Sequence, residues 1–473
     1  MYFNFLKYCL GNKVNISDFV VTADWRQLYS FASKQAILGF SFDGVERLGK
    51  EYPNKLSQNP IGQDLLMTWM GKAHQIRRQN MMVNAVAAKL YAQLRKDGLR
   101  CCILKGQGNA LMYPNPYSRT PGDIDVWVNA SKTEIIKYTK KHFLHGDNIS
   151  YHHLETSVDG VPIELHFFPC MVNNPIYNAR LQKWFKRNAD LQCSNVVALP
   201  DDTGEIAMPT TAFNVIYQLC HLYHHFFDEG IGMRQITDYF LVVNDFSKNV
   251  FLDTDFSNHP VNFSNHPVPL SKEGSTFSPS PSQWSLHPLR FPRFRGTETS
   301  GSGDVTAPSR CSEPLRSKDG GPSKVSPDCA GWDRRGVSGD IASDASVISA
   351  FTTDSSASTA LDVVQRELKY LGLWKFAGAV MYVLHETLGL PEEKMIVPVD
   401  EKRGRLLLAE ILDGGNFGRH FTKYAGFTHQ SMGKKYFLKI WRNMHFVRYY
   451  SAEALCEPLF RTWHFFWRLK YKK

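Results

Sequence analysis

The hydrophobic pattern changes period at Gly98, and that change constrains the fold more than any other feature of the chain. Before it, apolar residues recur every three or four positions in 25-DWRQLYSFASKQAILGF and in 65-LLMTWMGKAHQIRRQNMMVNAVAAKLYAQL, the spacing of one helix face. Gly98 ends the second run as a helix C-terminal glycine does. Beyond it, 99-LRCCILKGQG is a short apolar run meeting a glycine loop, and 123-DIDVWVN alternates strictly, as a half-buried strand does. Ser131 and Glu134 make a capping-box pattern opening a helix at 132-KTEIIKYTKKHF, and 151-YHHLETSV and 161-VPIELHFF flank Asp159-Gly160 as a hairpin flanks its tight turn. Strand, helix, strand, helix, strand, strand is the order this predicts. The fold class is α+β, a small mixed sheet with helical regions on both sides of it in sequence.

Helical spacing returns after Pro209 in 210-TTAFNVIYQLCHLYHHFF and 233-MRQITDYFLVVNDF. From 247 to 360 the composition shifts to Ser, Pro, Gly, Asp and Thr, with a tandem FSNHPV at 256–261 and 263–268. Such a segment has too few clustered apolar groups to offset its ordering entropy, so it reads as a disordered insertion. Helical spacing resumes at 361-LDVVQRELKYLGLWKFAGAVMYVLHETLGL. The predicted organisation is a helical region over 1–98, a catalytic core over 99–208, and a helical domain over 209–246 and 361–473 that the insertion divides.

At 473 residues the chain accommodates roughly two to four structural units. No apolar run is long enough to span a bilayer, and Asn4 and Lys7 interrupt the apolar N-terminus, which reads as a first helix rather than a signal peptide. The nine cysteines contain no CxxC pair, which argues against a zinc ribbon or a disulfide framework and fits reduced thiols in a cytoplasmic protein. Cys101 and Cys102 read as small buried hydrophobes. From Lys434 to Lys473, ten Lys and Arg stand against Glu453 and Glu457. That segment interleaves aromatics with cations, as surfaces that meet nucleic acid or anionic lipid do; the alternative is an amphipathic closing helix with its aromatics packed inward.

Asp123 and Asp125 are two apart on a predicted strand, so both side chains leave one face while Ile124 and Val126 point into the core. A pair of divalent ions clamping a phosphoryl displacement needs a bridging carboxylate with others beside it, and hard oxygen ligands suit Mg2+ or Mn2+. The alternative is a strand end with solvated acids. Upstream, 104-LKGQGNAL joins a strand to a helix start through a glycine turn, where backbone N–H groups hold phosphates and Lys105 adds a cation. Downstream, Glu164 lies between Ile163 and Leu165, where the hairpin returns a third carboxylate to the aspartates, and His166 shares its face.

At these residues the sequence resembles the polymerase-β-like nucleotidyltransferases, whose pattern is a glycine turn, an acid pair and a later strand acid. It is more closely similar to the bacterial family of uncharacterised nucleotidyltransferases, through 103-ILKGQGNALMYPNPYSRTPGDIDVWV, 161-VPIELHF, 221-HLYHHFFDEGIGMRQITD and 413-DGGNFG. The LKG turn departs from the superfamily's usual Gly-Ser, as it does in this family and in the similar abortive-infection toxin nucleotidyltransferases. The resemblance implies transfer of a nucleoside monophosphate from a nucleoside triphosphate to a hydroxyl acceptor, with pyrophosphate released and two Mg2+ or Mn2+ ions as cofactors. Asp123 and Asp125 would bind both ions, and Glu164 would complete the second position or take the acceptor's proton. Lys105, Gly106, Gln107 and Arg119 would hold phosphates, Tyr113-Pro114-Asn115-Pro116 turning the chain back so that Arg119 enters beside the acids.

His221, His224 and His225 fall near one helix face, with Arg234 and Asp238 in the next helix. No HExxH pattern accompanies them, so they read as structural histidines, or, with His166, as groups supporting the ligands at the cleft. The 413-DGGNFG stretch reads as a turn, with a glycine loop facing the nucleotide as its alternative. The acceptor, whether small molecule, saccharide, protein or RNA, is not legible here. Two rival readings are a toxin-like transferase acting on RNA, which the basic aromatic segment suits, and a non-catalytic nucleotide-binding protein, against which the complete acid set argues.

Overall fold

A computed structural model describes residues 2–143, 148–252, 359–421 and 432–471. Helices α1 (Tyr2–Cys9), α2 (Ser17–Thr22), α3 (Trp25–Lys34), α4 (Leu38–Glu51), α5 (Pro53–Leu56) and α6 (Gln63–Lys96) precede the sheet. The core then runs β1 (Cys101–Leu104), α7 (Gly106–Ala110), β2 (Ile124–Val128), α8 (Lys132–His142), β3 (Asn148–Ile149), β4 (His153–Val158) and β5 (Val161–His166). It follows the predicted order with one short strand added. The Ser131–Glu134 capping box forms as expected, each side chain bonded to the other's backbone N–H.

The five strands lie in the order β1-β2-β5-β4-β3. β2 pairs with β1 antiparallel and with β5 parallel, while β4 pairs with β5 and β3 antiparallel, so the sheet is mixed. Period-two alternation gives its two faces different work. Ile103, Ile124, Val126, Ile163 and Leu165 pack with Val83, Val86, Leu90 and Leu94 of α6 in one buried cluster. Cys102, Leu104 and Trp127 face the other way, into the main helical core. Asp125, Glu164 and His166 share this second face by the same alternation.

That face is covered by α9 (Pro175–Ser194) and α10 (Thr211–Asp228), a small ribbon of β6 (Val196–Ala198) and β7 (Glu205–Ala207) standing between them in sequence. Trp127 stacks on Phe213 of α10 with ring centroids 6.0 Å apart and meets Phe185 of α9 edge-on at 6.1 Å. Each such pair contributes about 0.5–1.5 kcal/mol beyond its buried area, so the aromatic end of the face is fixed while its polar end stays available for chemistry.

α11 (Met233–Leu252) packs against α10. The composition ends this helix at 246, but its backbone stays helical through Leu252. Ser247 is accommodated because its buried hydroxyl donates to Val243 O at 2.8 Å and Lys394 O at 3.0 Å, which removes the usual objection to serine inside a helix. α12 (Ala360–Tyr370) starts at a Thr359–Asp362 capping box. The remainder of the predicted insertion, 253–358, lies outside the described residues. α13 (Trp374–Leu388), α14 (Glu401–Gly414), α15 (Met432–Met444), α16 (Val447–Ala454) and α17 (Glu457–Tyr471) complete the helical part. Asp228 at the end of α10 ties it together, accepting from Lys439 at 3.0 Å and Arg461 at 2.9 Å. Among the described residues no helix is long and apolar enough to cross a membrane, and the described cysteines are free thiols, Cys101 and Cys102 both buried.

Candidate active site

Parallel pairing of β2 with β5 sets Asp125 opposite Glu164 and Trp127 opposite His166. His166 Nε2 lies 3.0 Å from Asp125 Oδ1 and 3.2 Å from Glu164 Oε2, bridging the two carboxylates. The ligating atoms of Asp125, Glu164 and His166 all lie within 4.8 Å of one another. Asp123 stands just before β2 with its side chain reaching solvent, outside that close group.

The electrostatics follow from this crowding. Burial opposes charge on His166, yet its bonds to Asp125 and Glu164 push it up to about 9, so it is an imidazolium between two carboxylates. Burial would raise Asp125, but the Lys105 ammonium and His166 hold it well below the ordinary carboxylate range. Glu164 is likewise lowered, burial being outweighed by His166. Asp123 moves the other way, to about 6, through repulsion from Asp125 first, then desolvation and Glu164. Cations therefore already stand around Asp125 and Glu164, and Asp123 is the acid left short of one. Asp125 and Glu164, with Asp123 at the rim, offer the oxygen ligands that suit a hard divalent ion.

Lys105 is delivered by the turn from β1 into α7. Its backbone takes φ 51° and ψ −129°, a conformation that favours glycine, and its Nζ reaches Asp125 Oδ2 at 3.1 Å and His221 Nε2 at 2.7 Å. Burial, then Lys105, keeps His221 far below the usual histidine range, so the neutral ring accepts from the ammonium. His225 Nε2 lies 3.0 Å beyond on the same helix. Gly106 follows at φ 40°. The side chain of Gln107 is buried and donates to Asn84 Oδ1 of α6, so it serves the packing of the loop.

Arg119 and Arg234 divide their work differently from the expected assignment. Arg119 is 5% exposed and forks onto Asp238, Nε to Oδ1 at 2.9 Å and Nη2 to Oδ2 at 2.8 Å, while Tyr113 donates to the same Oδ1 at 2.7 Å. Its fork is committed to this buried pair. Asn80 Nδ2 donates to Tyr117 O at 2.8 Å and Arg119 O at 2.7 Å, holding the Pro114–Pro116 turn to α6. Arg234, by contrast, lies over the approach to Asp123. Its Nη1 donates to Thr120 O at 3.2 Å, a Cβ placed on Gly122 would stand 3.5 Å from that nitrogen, and its buried Nε has no hydrogen-bond partner among the described residues.

The 413-DGGNFG stretch comes against the α10–α11 turn. A Cβ on Gly232 would fall 2.7 Å from Asn416 Cα, so the approach needs glycine. Phe417, at φ 54°, sets its ring 5.3 Å from the Arg234 guanidinium carbon and 5.3 Å from the His225 ring. Asp413 and Gly414 close α14, the chain turns from Gly415 on, and the turn reaches the cleft. His152 and His153 are the residues sequence reasoning passed over. His153 Nδ1 stands 3.4 Å from Glu164 Oε2 and 3.0 Å from His152 Nε2. The signal was present: a two-residue Asp159-Gly160 turn places His153 opposite His166 and Glu155 opposite Glu164, as observed.

No curated protein and no solved structure gives a match to this chain. Residues 22–256 match the family model described as uncharacterised nucleotidyltransferase, a span that includes the helices from α3 to the sheet, the acid-bearing strands and all of α11. Over those residues the chain belongs to the uncharacterised nucleotidyltransferase family.

Proposed function

We propose that this protein transfers a nucleoside monophosphate from a nucleoside triphosphate to a hydroxyl acceptor and releases pyrophosphate, Asp123, Asp125 and Glu164 holding Mg2+ or Mn2+. The observation that carries the reading is the in-register pairing of Asp125 with Glu164 on the sheet face that also presents Lys105 and His166. Divalent ions held there would neutralise charge on the reacting phosphate and orient it for in-line attack. Glu164 would complete the second metal position or take the acceptor's proton, with His166 bonded to its carboxylate. Lys105 and the backbone of Gly106 and Gln107 lie on the phosphate side, and Arg234 supplies the cation that Arg119 does not. Reduced cysteines and the lack of a spanning helix among the described residues support a cytoplasmic setting.

RNA as the acceptor is a second reading, favoured by α17. Trp463 and Trp467 pack edge-on against Tyr151, next to His152, at 5.2 and 5.9 Å, while Phe465 and Phe466 stay exposed on a basic segment. The test is a screen of the four triphosphates with Mg2+ or Mn2+, following pyrophosphate release with and without hydroxyl acceptors, labelled RNA included. Release that D125N and E164Q abolish supports the proposal; a wild-type chain silent with every triphosphate, or D125N turning over normally, sinks it.

A further inference from the structure

We propose that His152, His153, His166 and Glu164 form a nitrogen-rich site for a zinc-class divalent ion on the β4–β5 hairpin, sharing Glu164 with the carboxylates of the transferase reading. The proposal does not rest on that reading. The nearest ligand atoms are already gathered: His152 Nε2 and His153 Nδ1 are 3.0 Å apart, and Glu164 Oε2 lies 3.4 Å from His153 Nδ1 and 3.2 Å from His166 Nε2. The three histidines offer ring nitrogens all within 4.8 Å of one another. Zinc bound at about 2.0–2.1 Å places tetrahedral ligand atoms about 3.3 Å apart, near the three spacings just given.

Proton counting favours an ion over a purely hydrogen-bonded cluster. A ring nitrogen holds at most one proton. If His152 Nε2 carries it, His153 Nδ1 turns a lone pair toward the Glu164 carboxylate. If His153 Nδ1 carries it, one N–H serves two acceptors, His152 Nε2 and Glu164 Oε2. A divalent ion takes all of these lone pairs at once and displaces the proton that His166 Nε2 otherwise shares with Asp125 and Glu164, since ligation requires the neutral ring. The surroundings also fit ligation: Glu155 Oε1 stands 3.5 Å from His153 Nε2, in the place of the carboxylate that accepts the second N–H of a metal-bound histidine and orients its ring. His166, 2% exposed, has a buried Nδ1 without a hydrogen-bond partner among the described residues, so Nε2 alone anchors it.

The donor chemistry selects the ion. Imidazole suits zinc and its neighbours, whereas Mg2+ demands octahedral oxygen and keeps its waters. Three nitrogens and one carboxylate oxygen describe a four-coordinate zinc-class site, while Asp123 and Asp125 offer oxygen only.

The experiment uses the full chain without nucleotide. Chelator-stripped protein is loaded with Zn2+, dialysed against a zinc buffer containing millimolar Mg2+, and analysed for metal; a parallel sample is loaded with Co2+ and its visible d–d absorption recorded. About one zinc retained per chain, and strong Co2+ bands of the four-coordinate type that Mg2+ does not remove, are expected. H152A and H153A should lose the retained zinc and the Co2+ bands, whereas D123N keeps both. Wild-type protein that retains no zinc, Co2+ bands that Mg2+ abolishes, or undiminished retention in folded H152A and H153A would overturn the site. Should a histidine variant not fold, the wild-type Co2+ spectrum and its resistance to Mg2+ decide alone. Because no triphosphate enters the assay, its failure leaves the transferase reading standing, and a silent transferase leaves the zinc site standing.

Discussion

Asp125 and Glu164 are register partners across the parallel pair β2–β5, and one imidazolium nitrogen, His166 Nε2, lies within 3.2 Å of an oxygen from each. Acids that approach this closely only survive burial when cations stand between them. Asp125 has two, His166 and Lys105; Asp123, at the exposed strand end, has neither in contact. The two aspartates of one DxD motif are therefore in different electrostatic states.

That difference separates their asparagine variants. D123N removes a carboxylate that Asp125 repels, so its melting temperature should stay at or above that of the parent. D125N takes the buried anion from Lys105 and leaves His166 with Glu164 alone, and breaking one side of such a buried pair costs about 3–5 kcal/mol. Both should lose transfer by at least about 100-fold. Urea titration beside a pyrophosphate assay checks the contrast. Equal stability of the two variants would mean that the cations around Asp125 contribute nothing to the fold.

The pH dependence of metal-free stability follows from the same asymmetry. Asp123 in the folded chain is raised to about 6, above its ordinary 3.8, by Asp125, desolvation and Glu164. Between those values the folded state holds a proton that the unfolded state has released, so this residue makes stability fall as pH rises through the window and adds no further slope above it. A divalent ion competes with that proton. Added Mg2+ should therefore raise the melting temperature little near pH 4 and increasingly as pH passes about 6, and D123N should flatten the trend. A Mg2+ shift independent of pH in the parent would show that Asp123 is not a ligand.

Arg119 and Arg234 predict opposite phenotypes. Arg119 forks onto Asp238 with Tyr113 on the same oxygen, so D238A strands a buried guanidinium and should cost about 3–5 kcal/mol in urea. R234K keeps the charge near Asp123 but loses the fork; it should spare the fold and raise KM for the triphosphate by about tenfold or more, on the order of 1.4 kcal/mol of lost phosphate binding. If D238A unfolds no more easily than the parent, Arg119 returns as a phosphate ligand and its pairing with Asp238 is incidental.

Much of the site was legible in the sequence because two regularities of β-structure decide it. Alternation puts Asp125 opposite in direction to Ile124 and Val126, and the parallel return puts Glu164 beside it, both as read from 123-DIDVWVN and 161-VPIELHFF. The two-residue turn at Asp159-Gly160 also fixes which residue of β4 faces which of β5, so His153 beside His166 is readable too. What sequence spacing does not carry is the choice between equivalent cations. Arg119 precedes the acids by a few residues and Arg234 follows by more than a hundred, yet packing of α11 against the Tyr113 turn gives Asp238 to the first and leaves the second at the cleft. Nor does composition show where a helix end stops, as Ser247 demonstrates by bonding to a carbonyl a full turn back and to Lys394 O across the helical domain.

Lys105 allows the turn and the amine to be tested apart. Its φ of 51° and ψ of −129° are adopted by glycine without strain and by other residues at a cost of about 1–3 kcal/mol. Its ammonium also partners buried Asp125 and donates to His221. K105A keeps the strain and loses the amine; K105G loses both. The amine's contribution is common to the two variants, so their difference in stability reports the backbone alone, less the greater freedom that glycine gives the unfolded chain, about 0.5–1 kcal/mol. K105G should therefore be the more stable of the pair by about 1 kcal/mol, and neither should approach the parent, because Asp125 remains buried without its closest lysine. In a transfer assay the two should be equally impaired if the amine holds phosphate or polarises Asp125. K105G retaining activity that K105A lacks would instead assign the turn's shape, and not the lysine, to the chemistry.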